Sequence, residues 1–178
     1  MKKDIILCGV GGQGILSIAT VIGEAATVAG FHLKQSEVHG MSQRGGSVES
    51  HLRLSDAPLY SDLIPRGKVD LIIAMEPMEA LRYAGYLDEG GVIVTSSTPL
   101  INIPDYPCVD DVISALDRYP RVLRRELEGR SANMELLGMA APYIEILSVD
   151  QLYDAIGRVF SRKGEAVVRS NQEAFLKK

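Results

Sequence analysis

The chain has only two cysteines among its 178 residues, Cys8 and Cys108, and no C-x-x-C pair. That excludes an iron–sulfur cluster or a structural zinc site built from its own thiolates. Histidine is scarce as well. His32, His39 and His51 share no metal-ligand spacing, and no acidic cluster converges on them. No G-x-S-x-G elbow and no Ser, His and Asp set supply a nucleophile. A Walker-type Gly-Lys-Ser/Thr is missing, which argues against nucleotide hydrolysis. No apolar run approaches the ~20 residues of a membrane span. The net charge of -4 offers no broad polyanion-binding face, so nucleic acid is not an expected partner. Arg118, Arg121, Arg124, Arg125 and Arg130 form a basic run, but Glu126 and Glu128 interrupt it. It reads as a solvated helix face or a partner contact. Lys2-Lys3 ahead of an apolar stretch looks faintly like a signal peptide, yet Asp4 and several glycines break the run. A reducing, cytoplasmic setting is the expectation.

What the chain does have is a strand running into glycines. Residues 4–10 read as a buried strand, continuous in apolar character after Asp4, as a parallel strand would be. Gly9-x-Gly11-x-x-Gly14 follows, and apolar residues recur at helical spacing from Gln13 to Ala29 until Gly30 stops them. Gly9 permits a tight turn, Gly11 removes a side chain from the path of a phosphate or a neighbouring chain, and Gly14 lets the helix pack close. Glu37 lies 23 residues after Gly14, near the offset at which dinucleotide folds hold a ribose. Nicotinamide or flavin binding, another phosphate-bearing group, and plain packing or subunit contact all remain open for this loop.

Further strands are expected over 31–37, 47–54, 69–75 and 92–95, with Gly90-Gly91 turning into the last of them. A helix over 76–86 carries Pro77 in its first turn. After a connection holding Pro99, Pro104 and Pro107, the pattern reads as helical over 110–118, 121–128, 132–142, 149–161 and 165–177. The expected architecture is α/β: a single three-layer Rossmann-like domain over residues 1–178, with a mainly parallel sheet and a helical C-terminal region.

A second glycine-rich loop, His39-Gly-Met-Ser-Gln-Arg-Gly-Gly46, places an imidazole (His39), a hydroxyl (Ser42), an amide (Gln43) and a guanidinium (Arg44) beside Gly40, Gly45 and Gly46. Glycines expose backbone amides, and Arg44 offers a fork suited to carboxylate or phosphate. Such a loop suits an anionic ligand or a protein partner. His39 as a general acid or base has no support beyond its position.

These two strings carry a resemblance. Gly9-Val-Gly-Gly-Gln-Gly-Ile15 and Ser36-Glu-Val-His-Gly-Met-Ser-Gln-Arg-Gly-Gly-Ser-Val48 resemble the gamma-type subunits of 2-oxoacid:ferredoxin oxidoreductases, in particular the small (beta) subunit of the indolepyruvate-specific type. Ile64-Pro65, Glu76-Pro-Met-Glu-Ala-Leu81, Ala132-Asn133, Leu136-Leu-Gly138, Asn171 and Ala174-Phe175 extend it along the chain. The resemblance implies an oxidative decarboxylation of a 2-oxoacid to an acyl-coenzyme A, with electrons passing to ferredoxin. Thiamine diphosphate, Mg and iron–sulfur clusters are then expected in partner subunits, with coenzyme A as co-substrate. This chain would dock on the catalytic subunit and shape its active site, without activity or catalytic residues of its own. Gly11, Gly12 and Gln13 together with His39, Gly40, Ser42, Gln43, Arg44, Gly45 and Gly46 would face substrate or partner. A homodimer in isolation is also expected, since an unpartnered docking face is apolar. Relatives carry a strand between Asp117 and Ser131; here the segment is shorter and basic, so that strand is expected to be truncated or lost. The alternative is a stand-alone NAD- or FAD-binding protein using Gly9–Gly14 and Glu37.

Overall fold

A computed structural model describes residues 1–40, 45–101 and 103–177. Among the described residues, six strands form one sheet in the order β2-β3-β1-β4-β5-β6. They are β1 (Lys2–Val10), β2 (His32–His39), β3 (Ser47–Ser55), β4 (Val69–Ala74), β5 (Leu87–Ser96) and β6 (Val122–Arg125). The helices are α1 (Ile15–Val28), α2 (Pro77–Tyr83), α3 (Val109–Leu116), α4 (Ala132–Ile144), α5 (Val149–Phe160) and α6 (Glu165–Phe175). β1, β4, β5 and β6 pair in parallel, whereas β3 runs antiparallel to both β1 and β2.

β1 is apolar on both sides because both sides are covered. Ile5 and Leu7 point into a core shared with α1 and α4, while Ile6 and Cys8 point into a second core closed by α2 and α3. The helical C-terminal region adds depth on the first side. α5 packs against α1, and α6 crosses α4 and α5. The α4–α6 crossing is close at Gly138, where a Cβ would stand 2.0 Å from the carbonyl oxygen of Phe175.

Two expectations change. Residues 121–128 are not a helix: Val122–Arg125 add a parallel edge strand to β5, with the Arg121 carbonyl accepting from Ile93 N–H at 2.9 Å. Of the strand expected to be truncated or lost, four residues are present. Its charged residues suit a solvent-facing edge. Arg124 pairs with Asp117 at 3.0 Å and Arg125 with Glu135 at 3.5 Å, so two of the five arginines in the basic run are held in ion pairs. Gly90-Gly91 is no turn either. β5 begins at Leu87 and passes through both glycines, with its register to β4 shifting between Val69 and Leu71. A Cβ at Gly91 would meet the Val69 carbonyl oxygen at 2.8 Å, so only glycine fits this bulge.

Candidate functional site

α1 follows β1 on one face of the sheet and α2 follows β4 on the other, so the chain changes sides between these neighbouring strands. Open α/β sheets bind ligands at that point, outside the carboxyl ends of the strands. A cleft of about 750 Å³ lies there, walled by Gly12, Gln13, Met75, Thr98, Asn133 and Asn171 among others.

The first glycine loop lines it through Gly12, Gln13 and Gly14, and two of its glycines have a contact-level reason. Gly9 needs no unusual φ, but a Cβ on it would lie 2.9 Å from both Gln13 Oε1 and Ile15 Cγ1. Gly14 takes φ 80 as the cap of α1, and a Cβ there would meet Asn133 Nδ2 at 2.6 Å. Its close neighbour is therefore α4, with Asn133 Nδ2 donating to the Gly14 carbonyl at 3.1 Å. Gly12, at φ 102, is exposed and faces open space.

The second loop is the tip of a β-hairpin between β2 and β3. Gly40 N–H donates to Ser47 O at 3.0 Å and closes the hairpin behind it. The two glycine loops clasp each other: Gly11 N–H donates to Gly46 O at 2.8 Å, and Gly45 N–H donates to Gly11 O at 3.4 Å. Gly11, Gly45 and Gly46 are thereby brought together, with Gly12 and Gly40 exposed on the same rim. Ser42, Gln43 and Arg44 lie outside the described residues. His39 ends β2 opposite Val48.

The arrangement separates Glu37 from the first loop. In a dinucleotide fold the acidic residue lies on the strand beside β1, but here β3 occupies that place. Glu37 pairs with Ser50, which pairs with Leu7, so it stands two strand spacings from β1, about 10 Å. The Gly11 amide that would meet a phosphate is already bonded to Gly46. Nothing in this geometry brings Glu37 and Gly9–Gly14 onto one ribose.

A buried polar cluster under the hairpin carries no signal in spacing alone. Glu76 is 1% exposed and caps α2 through Glu79 N–H at 2.9 Å, and its other oxygen accepts from Tyr106. Glu79, 3% exposed, accepts from Ser47 Oγ at 2.5 Å and pairs with Arg82 at 3.2 Å. Burial first, then the bond to Glu76, raises the Tyr106 phenol. Burial and then the Glu79 charge push the Cys8 thiol well above its ordinary range, which suits a packing residue and not a nucleophile. The Glu76-Pro-x-Glu79 string could have suggested a carboxylate cap ahead of Pro77.

His51 is buried with its Nδ1 accepting from Ile64 N–H at 3.0 Å. Burial lowers its pKa, outweighing Glu49 at 3.8 Å, which pulls the other way. A depressed folded-state pKa means stabilisation present above the unfolded value of about 6.5 and lost as pH falls through the folded value. Urea unfolding at pH 7 and pH 5 should therefore show a larger stability loss in the wild type than in His51→Gln; equal losses would refute this.

Two glycine loops clasped at the switch point, with the neighbouring strand reversed, define an α/β domain arranged unlike a dinucleotide-binding one. The chain belongs to the pyruvate ferredoxin/flavodoxin oxidoreductase family, matching it over residues 4–177. It is 39% identical over 137 residues to indolepyruvate oxidoreductase subunit IorB of Pyrococcus horikoshii, covering 73% of this chain and 64% of that protein. The subunit of the same name from Methanothermobacter thermautotrophicus is 33% identical over 180 residues, covering 97% and 88%. The crystal structure of the keto/oxoacid ferredoxin oxidoreductase gamma subunit from Geobacter sulfurreducens superposes with a TM-score of 0.66 at 26% identity, covering 97% of this chain and 94% of that one. The match to the Pyrococcus subunit thus spans somewhat less than two thirds of that protein's length. Among the described residues no helix is long and apolar enough to cross a membrane.

Proposed function

We propose that this chain is the gamma-type subunit of a 2-oxoacid:ferredoxin oxidoreductase acting on indolepyruvate or a related arylpyruvate. The reaction takes a 2-oxoacid and coenzyme A to an acyl-coenzyme A and carbon dioxide, releasing two electrons for ferredoxin. The observation that carries the reading is the clasp between Gly11 and Gly46. It joins the two strings of the family resemblance on one rim at the switch point, where a partner can sit. The names of the relatives support the substrate class.

Among the described residues no three His, Cys, Asp or Glu stand together as a metal cage, and Cys8 is buried while Cys108 is exposed. The reading therefore gives thiamine diphosphate, magnesium and the clusters to the catalytic subunit, and to residues 1–178 the task of docking and shaping. Gly12, Gly40 and Gly45 to Gly46 would meet that subunit, with His39, Ser42, Gln43 and Arg44 carried between them and Gln13 behind. The compartment would be the cytoplasm. Without the partner, exposed Leu100, Ile101 and Ile103 offer an apolar surface for a second copy to cover.

Reconstitution with the cysteine-rich thiamine-binding chain tests the proposal. The complex should oxidise indolepyruvate with coenzyme A and a ferredoxin acceptor, and this subunit alone should not. Arg44→Ala should lower turnover of the complex about 10- to 100-fold, the worth of one charged hydrogen bond, without lowering the subunit's melting temperature. Activity in the solitary subunit, or normal kinetics for Arg44→Ala, would overturn the reading.

A further inference from the structure

The parallel ladder between β1 and β4 ends in an unusual way. Cys8 is paired with Ala74, and Met75 N–H donates to Cys8 O at 2.9 Å. In a parallel pair the next rung would run from Val10 N–H to Met75 O. That rung is replaced by a side chain. Gln13 Oε1 accepts from Val10 N–H at 2.8 Å, and Gln13 Nε2 donates to Met75 O at 3.3 Å. One carboxamide is spliced into the ladder, offering an acceptor to one strand and a donor to the other, as a peptide group would.

The splice has two effects. It parts β1 from β4 at the point where the cleft opens, since a side-chain amide now stands between two backbones that would otherwise bond directly. It also closes the turn from Val10 to Gln13, together with Gln13 N–H to Val10 O at 3.1 Å. That turn presents Gly11, whose N–H and C=O hold Gly46 and Gly45 of the second loop. Gly9 is explained by the same feature, because its missing Cβ leaves the space that Gln13 Oε1 fills.

The geometry points to Gln13 as a positioning residue: its inward amide sets the first loop so that the second is held where the partner subunit meets it. Only a side chain with both a donor and an acceptor can do this. Glutamate keeps the size and the acceptor but loses the donor to Met75, and leucine loses both. The inference rests on the proposed docking role only in its last step, the meeting with the partner.

The test compares wild type, Gln13→Glu, Gln13→Leu and Arg44→Ala. Amide hydrogen exchange on the isolated chain should rise on the order of tenfold at Gly11 and Gly45, the two amides that donate in the clasp, in both Gln13 variants. The amides of α4 and α6 should keep wild-type protection. In the reconstituted complex the Gln13 variants should need several-fold more subunit for half-maximal activity, while activity at saturation stays near wild type. A merely structural role would instead raise exchange everywhere. Unchanged exchange at Gly11 and Gly45, or a uniform rise, overturns the inference. If Gln13→Leu fails to fold, Gln13→Glu carries the comparison. Failure of the docking role has a different signature, with Arg44→Ala normal in the complex while the local exchange effect of Gln13→Glu persists.

Discussion

Gly138→Ala should be the most damaging single methyl group in this protein. A Cβ at that position would lie 2.0 Å from the Phe175 carbonyl oxygen, 2.9 Å from its carbonyl carbon and 3.3 Å from its Cα. These are backbone atoms of α6, so no rotamer change relieves the clash and the whole helix must retreat. Alanine gains about 1 kcal/mol over glycine in an exposed helix interior, but overpacking at a rigid contact typically costs 1–3 kcal/mol and sometimes more. Against backbone the upper end applies, and a net loss of about 3 kcal/mol is expected. For a domain of this size that is a fall in melting temperature of roughly 10 °C. Ala174 and Phe175 would leave the core with α6, and Val167 and Asn171 of the cleft wall would shift with them. Calorimetry decides: a melting temperature within about 2 °C of wild type means that the crossing is looser than described.

Asp4→Ala should produce a loss of similar size through charge. The Asp4 side chain is fully buried and is held by Arg53 in a fork, Nε to Oδ1 at 2.8 Å and Nη2 to Oδ2 at 3.1 Å, with Lys2 at 2.7 Å. The Arg53 side chain is itself only 12% exposed, and its Nη1 donates to Ser61 O and Leu63 O, both at 3.1 Å. Removing the carboxylate strands a guanidinium among carbonyls, and breaking a buried pair from one side typically costs 3–5 kcal/mol. Urea unfolding should show about 3 kcal/mol less stability, and the segment around Ser61 should become open to proteolysis. The double variant Asp4→Leu with Arg53→Met should regain much of the loss, because an apolar pair of similar volume needs no desolvation. A loss below about 1 kcal/mol for Asp4→Ala would mean that Arg53 finds other partners.

The contrast between what was and was not legible in the sequence has physical causes. β1, α1, β3 and β4 announce themselves because each buries a face with a fixed period, and their observed bounds fall within a few residues of the pattern. β6 does not, because an edge strand of four residues carrying Arg124 and Arg125 buries too little to impose a period. The Gly90-Gly91 bulge looks like a turn because glycine serves both purposes, and only the approach of Val69 O separates them. The functional motifs were visible as strings, and the resemblance they carry led to the right family. Their relation to each other was not, since nothing in the spacing from Gly14 to Glu37 tells that β3 will lie between β2 and β1. The string also does not tell that the Gln13 amide bridges β1 and the end of β4; its two hydrogen bonds show that.

The two margins of the sheet are guarded unequally. On one side β6 is brief and bears arginines, a combination that discourages further strands from joining. On the other, β2 runs for eight residues without proline and has Lys34 as its only lysine. Any enlargement of this sheet, whether by a companion polypeptide or by unwanted self-pairing during production, therefore has an open flank at β2 and a blunted one at β6.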